Sequence, residues 1–321
     1  MSAARRILSR SYYFLTRRTA QRQFWLRPDP ETNQIFEYCL AVAARKYDID
    51  LIAWEAMSNH YHAVVYDEKG QVPAFAQYFH RLVAACINDR YERRENLWSS
   101  EEACITLLPT EADVMEKVAY TLGNAVAAGL VDTVWEWPGS SSLRFLDGKS
   151  RRISQPEFYF SPKSVVPTSV ELAIAQPRGS QKNESFADWA KAVRKRVAKI
   201  DADAAQQRKA ERTRSLGVGA VLATKVTQQP STEERDRKLR PRLACAEVKT
   251  RKAALLEHKE FMIHYADALA EFMDGKKNVV FPRGTYRHRE SPGVVIGKRP
   301  PCPPEILRKH VTRIPCDSMG S

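Results

Sequence analysis

Residues 48–67, DIDLIAWEAMSNHYHAVVYD, constrain the fold more than any other stretch of the chain. Apolar, β-prone residues stand on both sides of Ser58–Asn59, and two residues leave room only for a tight turn. The stretch therefore predicts a β-hairpin, with its second strand fading at Gly70. Side chains alternate along a strand, so His60 and His62 must leave one face of the sheet and Tyr61 the other.

The flanking segments extend this hairpin into a sandwich. Ser11 to Leu26 is aromatic and β-prone and stops at Pro28 and Pro30. From Glu31 to Tyr47, Ile35, Phe36, Cys39, Leu40, Val42 and Ala43 recur at helical spacing, as do Phe75, Tyr78, Phe79, Leu82, Val83 and Ile87 between Val72 and Arg94. The segment ACITLLP reads as a short strand. Thr110 followed by Asp113 is an acidic capping box that opens a further helix through Val114, Val118 and Leu122. The order strand–helix–strand–strand–helix–strand–helix predicts an α+β, ferredoxin-like (RRM-like) fold over residues 5–150, an antiparallel sheet with helices on one face.

Beyond residue 150 the pattern changes. Residues 151–185 are rich in Pro, Ser and Gln and read as a linker or arm, and residues 186–321 as a basic, mostly helical extension. Within it, Phe186–Thr213 carries a heavily basic helical face, and Glu233–Asp274 a charged helix with Leu255, Phe261, Met262, Tyr265, Leu269 and Phe272 on its apolar side. The tail from Val279 onward reads as loop.

The net charge is +13, from 51 Lys and Arg against 38 Asp and Glu, which favours a polyanionic partner, nucleic acid foremost. No apolar run approaches the roughly 18–20 residues of a membrane span, and the basic N-terminus lacks the apolar centre of a secretory signal. The six cysteines, Cys39, Cys86, Cys104, Cys245, Cys302 and Cys316, show no C-x-x-C pairing, so neither a zinc module nor a disulfide framework is expected. A reducing cytoplasm is the expected location.

Two motifs carry chemistry. Imidazoles two apart on a strand can share one divalent cation, although an isolated H-x-H also occurs as plain decoration of a solvated sheet face. In KVAYTLGNAVAAGLV, Tyr120 and Asn124 are four apart and stack on one face of a helix. Asn124 offers a hard carbonyl oxygen and Tyr120 a phenolic nucleophile; equally, Tyr120 fits an amphipathic helix with its hydroxyl in water. Gly123 is unfavourable inside a helix and suggests close approach of a ligand or strand.

Taken together and in order, these motifs resemble the HUH single-tyrosine transposases, and more closely their REP-associated branch. The family's metal strand corresponds to Met57–Val65, its Tyr-x-x-x-Asn helix to Tyr120–Val131, and its W-P-S-S-type motif to Trp137–Ser140; Leu97–Trp98 and Phe281–Tyr286 are further points of likeness. Ser58 and Ala125 stand where the family has proline. Ser99, Glu101 and Glu102 depart from it in the loop after Trp98, which bears on substrate contacts there. The resemblance implies a metal site of His60, His62 and Asn124 binding Mg²⁺ or Mn²⁺, with Tyr120 as the nucleophile forming a 5′-phosphotyrosine. It also implies a single-stranded DNA substrate with a REP-like hairpin and a bacterial, nucleoid-associated setting. Monomer and homodimer both remain open. The competing readings are a degenerate hairpin-binding protein that no longer cuts and a metal-dependent nuclease that uses water. Aromatics near Tyr12, Tyr13, Phe24 and Trp25 could stack on bases or belong to the core.

Overall fold

The computed structural model describes residues 4–161, 165–178, 185–231 and 241–297. They form two compact units, one of residues 9–247 and one that joins residues 4–8 to the chain from residue 248 onward.

The larger unit is built on the expected alternation. Strand β1 (Ser11–Arg18) leads to helix α1 (Pro30–Tyr47), the hairpin of β2 (Ile49–Met57) and β3 (His60–Asp67), helix α2 (Val72–Arg90), strand β4 (Cys104–Leu108) and helix α3 (Glu111–Leu122). The sheet order is β2-β3-β1-β4, every neighbouring pair antiparallel, which is the ferredoxin-like arrangement. Two helices start where their caps predict. Asp29 accepts from the Thr32 amide ahead of Pro30, and Thr110 and Asp113 form the reciprocal capping box.

The helices cover both faces of the sheet rather than one. Tyr61 packs against Phe36 of α1 and Phe79 of α2, with ring centroids 5.7 and 5.3 Å away, whereas His62 meets Tyr120 of α3. Strand alternation is the reason: Tyr13, Leu15, Tyr61 and Val65 fill one side, and Phe14, Val64 and Tyr66 the other, where α3 supplies Val114, Val118 and Leu122. Both faces of the hairpin are apolar, so both demand a cover.

The stretch after residue 150 departs from the linker expectation. Strands β5 (Arg151–Ser154) and β6 (Ser169–Leu172) pair with each other. Helix α5 (Phe186–Glu211) buries Trp189, Ala190, Val193 and Val197 in the same core as α3 and the sheet. Between α3 and α5, the four-residue helix α4 (Asn124–Ala127) follows a break at Gly123. A Cβ at Gly123 would stand 2.7 Å from Ile200 Cδ1, so this glycine admits a helix rather than the expected ligand or strand. The short helix α6 (Val218–Ala223) adds Val221 to the core.

The loop 137–142 straps the free edge of β2. The Trp137 indole donates to the Ala56 carbonyl at 3.0 Å, the Ala56 amide to Ser140 O at 2.8 Å, and the Trp54 amide and indole to the hydroxyls of Ser142 and Ser140. Gly139 lies so close that an added Cβ would sit 2.8 Å from the Ala56 carbonyl oxygen. Backbone cannot yield as a side chain does, so Gly139→Ala should cost about 1–3 kcal/mol in urea unfolding; an unchanged midpoint would show that the loop slides freely.

The smaller unit packs helix α7 (Val248–Met273) with the parallel pair β7 (Val279–Phe281) and β8 (Val294–Ile296). Phe261, Tyr265, Ala268, Val279 and Phe281 form its core together with Ala4. The tail was expected to be loop, and the chain from residue 5 to belong to the first domain. Instead Arg6 pairs with Thr285 and the Ile7 amide donates to Gly284 O at 2.8 Å. The FPRGTY segment is thus a turn anchored by the buried Phe281 and Thr285, with Gly284 at φ +91° as the turn requires. Cys302, Cys316 and the start of the helix expected from Glu233 lie outside the described residues.

Candidate metal and nucleophile site

The first residue of β3 is His60, and β3 is an interior strand, so the imidazoles sit at one end of the sheet rather than along its edge. The two rings are 4.8 Å apart. Each is held differently. The Asn59 side-chain oxygen lies 2.7 Å from His60 Nδ1, an acceptor that fixes the proton on Nδ1 and leaves Nε2 with its lone pair as an acceptor. That Nε2 is 3.1 Å from the Asn124 carboxamide nitrogen. Turning the amide by half a revolution exchanges its nitrogen and oxygen, so Asn124 Oδ1 and His60 Nε2 can face a common point.

His62 is buried between Phe14, stacked at 5.1 Å, and Tyr120, edge-on at 5.3 Å. Its Nδ1 is buried and has no hydrogen-bond partner, a cost of about 1–3 kcal/mol in a folded protein. Burial, helped by Arg18 and Arg22, lowers the His60 pKa to about 4, and burial, with His60 and Lys117 nearby, holds His62 well below the usual imidazole range. Both rings are therefore neutral at pH 7, the form that ligates a cation. An orphaned nitrogen, a lone pair on the neighbouring ring and an amide that can present its oxygen to it fit a divalent ion. Among the described residues no cluster of three or more His, Cys, Asp or Glu side chains could hold one; the donors that meet here are two imidazoles and one amide.

Tyr120 is 47% exposed on α3, reachable by a large substrate. The sequence expected Tyr120 and Asn124 on one continuous helix; the break at Gly123 separates them into α3 and α4, yet Asn124 still reaches His60. Lys117, one turn before Tyr120, puts its ammonium 4.9 Å from the phenol ring centroid and 5.5 Å from that of Phe14. Sequence reading missed Lys117, Arg18, Arg22 and Asn59. The i, i+3 spacing of Lys117 and Tyr120 could have suggested the first.

Behind the sheet, Tyr61 is anchored from the opposite side. Its hydroxyl is 2.6 Å from His80 Nε2, and His80 Nδ1 is 3.0 Å from the Arg17 guanidinium. Burial and Arg17 keep the His80 pKa well down, so Arg17 donates to a neutral ring. Trp98 donates to the His80 carbonyl at 2.9 Å, which makes the Leu97–Trp98 segment part of the core. Glu101 lies 3.8 Å from Arg18 in an ion pair. Tyr13 and Trp25 are core residues, and Arg93 lies 3.7 Å over the Trp25 ring, so neither offers an open stacking face.

Glu55 is the other unexpected group. It is wholly buried opposite His62, and burial raises its pKa well above the usual carboxyl value, so it is neutral. The unfolded chain releases this proton near pH 4.5 and the folded protein does not. The stabilising contribution is therefore complete below that pH and is lost as pH rises through the folded value. Glu55→Gln carries no such proton. Its melting temperature without metal should gain on wild type between pH 5 and pH 8; a constant difference would mean that Glu55 ionises freely.

Residues 8–115 match the family model described as "Transposase IS200 like", about a third of the chain, ending just before Tyr120. Over that segment the chain is similar to IS200-like transposases. No match is found among the curated proteins. Among solved structures, one described as a REP-associated tyrosine transposase bound to a REP hairpin is 17% identical, with TM-score 0.39, covering 55% of this chain and 100% of the other. A protein of Deinococcus radiodurans described as a transposase is 20% identical, with TM-score 0.26, covering 33% and 84%. The tRNA(His) guanylyltransferase of Saccharomyces cerevisiae is 13% identical, with TM-score 0.30, covering 43% and 72%. No described helix is long and apolar enough to cross a membrane.

Proposed function

We propose that this chain nicks and rejoins single-stranded DNA beside a hairpin, with Tyr120 as nucleophile and His60, His62 and Asn124 as ligands of Mg²⁺ or Mn²⁺. The observation that carries the reading is convergence. Residues some sixty positions apart meet where the Asn124 amide lies 3.1 Å from His60 and the Tyr120 ring 5.3 Å from His62. The hairpin and the REP-type substrate rest on the ordered motifs, and the net charge of +13 favours a polyanion.

A divalent ion, when bound, polarises the scissile phosphate and stabilises the charge that develops on its oxygens. The chain supplies the rest. Asn59 holds the His60 tautomer, Phe14 and Tyr120 hold the His62 ring, and the Lys117 cation stands beside the phenol where negative charge arrives. The phenol oxygen attacks phosphorus and its proton passes to solvent. An O–P bond to Tyr120 forms as the bond to the 3′ oxygen breaks, and that oxygen takes a proton from solvent and leaves as a hydroxyl. A second 3′ hydroxyl reverses the step, so strand joining needs no nucleotide cofactor.

The test is incubation with Mn²⁺ and labelled single-stranded hairpin DNA, followed by a denaturing gel. A protein–DNA adduct that vanishes with EDTA is expected. Cleavage without linkage would indicate a nuclease that uses water, and binding without cleavage a recognition module.

A further inference from the structure

The geometry points to Glu55 as the positioning residue for Asn124, an inference that rests on the metal site proposed above. Glu55 lies on the same face of the hairpin as His62, directly across from it on β2. The row around it is apolar, with Ala53 and Met57 buried on either side, and a carboxyl in such a row is costly unless its hydrogen bonds are made.

Those bonds run to two other parts of the chain. Glu55 Oε1 accepts from the Ala125 amide at 3.3 Å, and Oε2 is met by the Ser141 hydroxyl at 3.2 Å. Ala125 is the residue after Asn124, at the break where α3 stops and α4 begins. No continuous helix holds Asn124 in register with Tyr120 across that break, so something else must fix it. Ser141 belongs to the loop strapped to β2, and it also pairs with Glu55 through an isolated bridge. Glu55 thereby closes a triangle of strand, strap and helix joint. Through the Ala125 amide it sets where the Asn124 carboxamide stands relative to His60. The same triangle gives the W-P-G-S-S segment a task, as an anchor of Asn124 that acts through Glu55.

The experiment is direct Mn²⁺ titration of the full chain without DNA, by the signal of free Mn²⁺ in electron paramagnetic resonance. Glu55→Ala should raise the Mn²⁺ dissociation constant roughly 10- to 100-fold, the range for groups that orient a ligand. Glu55→Gln should stay within about threefold of wild type, because an amide still accepts from Ala125 and reaches Ser141. Ser141→Ala, a milder change that spares the carboxyl, should weaken binding by a smaller factor. The decisive arm is a cycle with Asn124→Ala: once Asn124 is gone, removing Glu55 should have no further effect on Mn²⁺ affinity. Full additivity of the two losses, or wild-type affinity in a folded Glu55→Ala protein, overturns the assignment while leaving the metal site standing. Failure of the wild-type chain to bind Mn²⁺ overturns both. Should Glu55→Ala not fold, Ser141→Ala in the same cycle decides the matter, non-additivity supporting the role and additivity rejecting it.

Discussion

Tyr120→Phe should leave a folded protein that binds single-stranded hairpin DNA and forms no covalent adduct with it. The substitution removes one oxygen from a side chain that is 47% exposed, so the stability change should stay within about 0.5 kcal/mol. The ring keeps its edge contact with His62 at 5.3 Å and with Phe14 at 5.9 Å, and Lys117 keeps its place over it at 4.9 Å. What disappears is the atom that would bond to phosphorus, and the groups against the ring are an imidazole, a phenyl ring and an ammonium, none of which carries a hydroxyl to replace it. The adduct on a denaturing gel should fall at least about a thousandfold, while affinity in EDTA stays within about twofold. A persisting adduct in Tyr120→Phe would move the nucleophile elsewhere; a vanished adduct with vanished binding would make Tyr120 a binding residue.

His62→Ala should have the second-largest effect, and its two readouts should diverge. Loss of one ring nitrogen from a set of two imidazoles and one amide should raise the Mn²⁺ dissociation constant by at least about a hundredfold, more than loss of an orienting group does. Stability should respond less than it does for other buried rings. Truncating a large buried side chain ordinarily costs about 2–5 kcal/mol through the cavity left behind. Here part of that is offset, because the same truncation removes a buried nitrogen without a partner, itself worth about 1–3 kcal/mol. Urea unfolding without metal should therefore show a smaller loss for His62→Ala than for Phe14→Ala, its stacking neighbour. Unchanged Mn²⁺ affinity would exclude His62 from the ligand set, and an equal loss of stability at both positions would mean that the orphaned nitrogen is satisfied in solution.

Much of this site could be read locally. The period-two alternation of HYHAVVY sets His60 and His62 on one face whatever surrounds them, and the structure keeps that arrangement with the rings 4.8 Å apart. The capping box at Thr110 and Asp113 is equally local, since the bonds run between residues three apart. Tyr120 and Asn124 were legible only with the neighbouring motifs, because the i, i+4 spacing by itself fits any amphipathic helix. The expectation of one unbroken helix missed the stop at Gly123, and the lack of room for a side chain there comes from Ile200, far away in the chain.

The sequence by itself determined the order of strands and helices, the hairpin and the shared face of its two histidines, all consequences of backbone geometry over a few residues. Tertiary structure alone decided the rest. It placed α3 on the face opposite α1 and α2, drew Trp189 and Val193 of a segment read as an extension into the core, and grouped residues 4–8 with the chain from residue 248 onward. It also put a neutral Glu55 between the strap and the helix joint. The reason is physical. Periodicity fixes which side chains share a face, but which face meets which depends on the closest packing of apolar surface across the whole chain, and no short stretch of sequence contains that information.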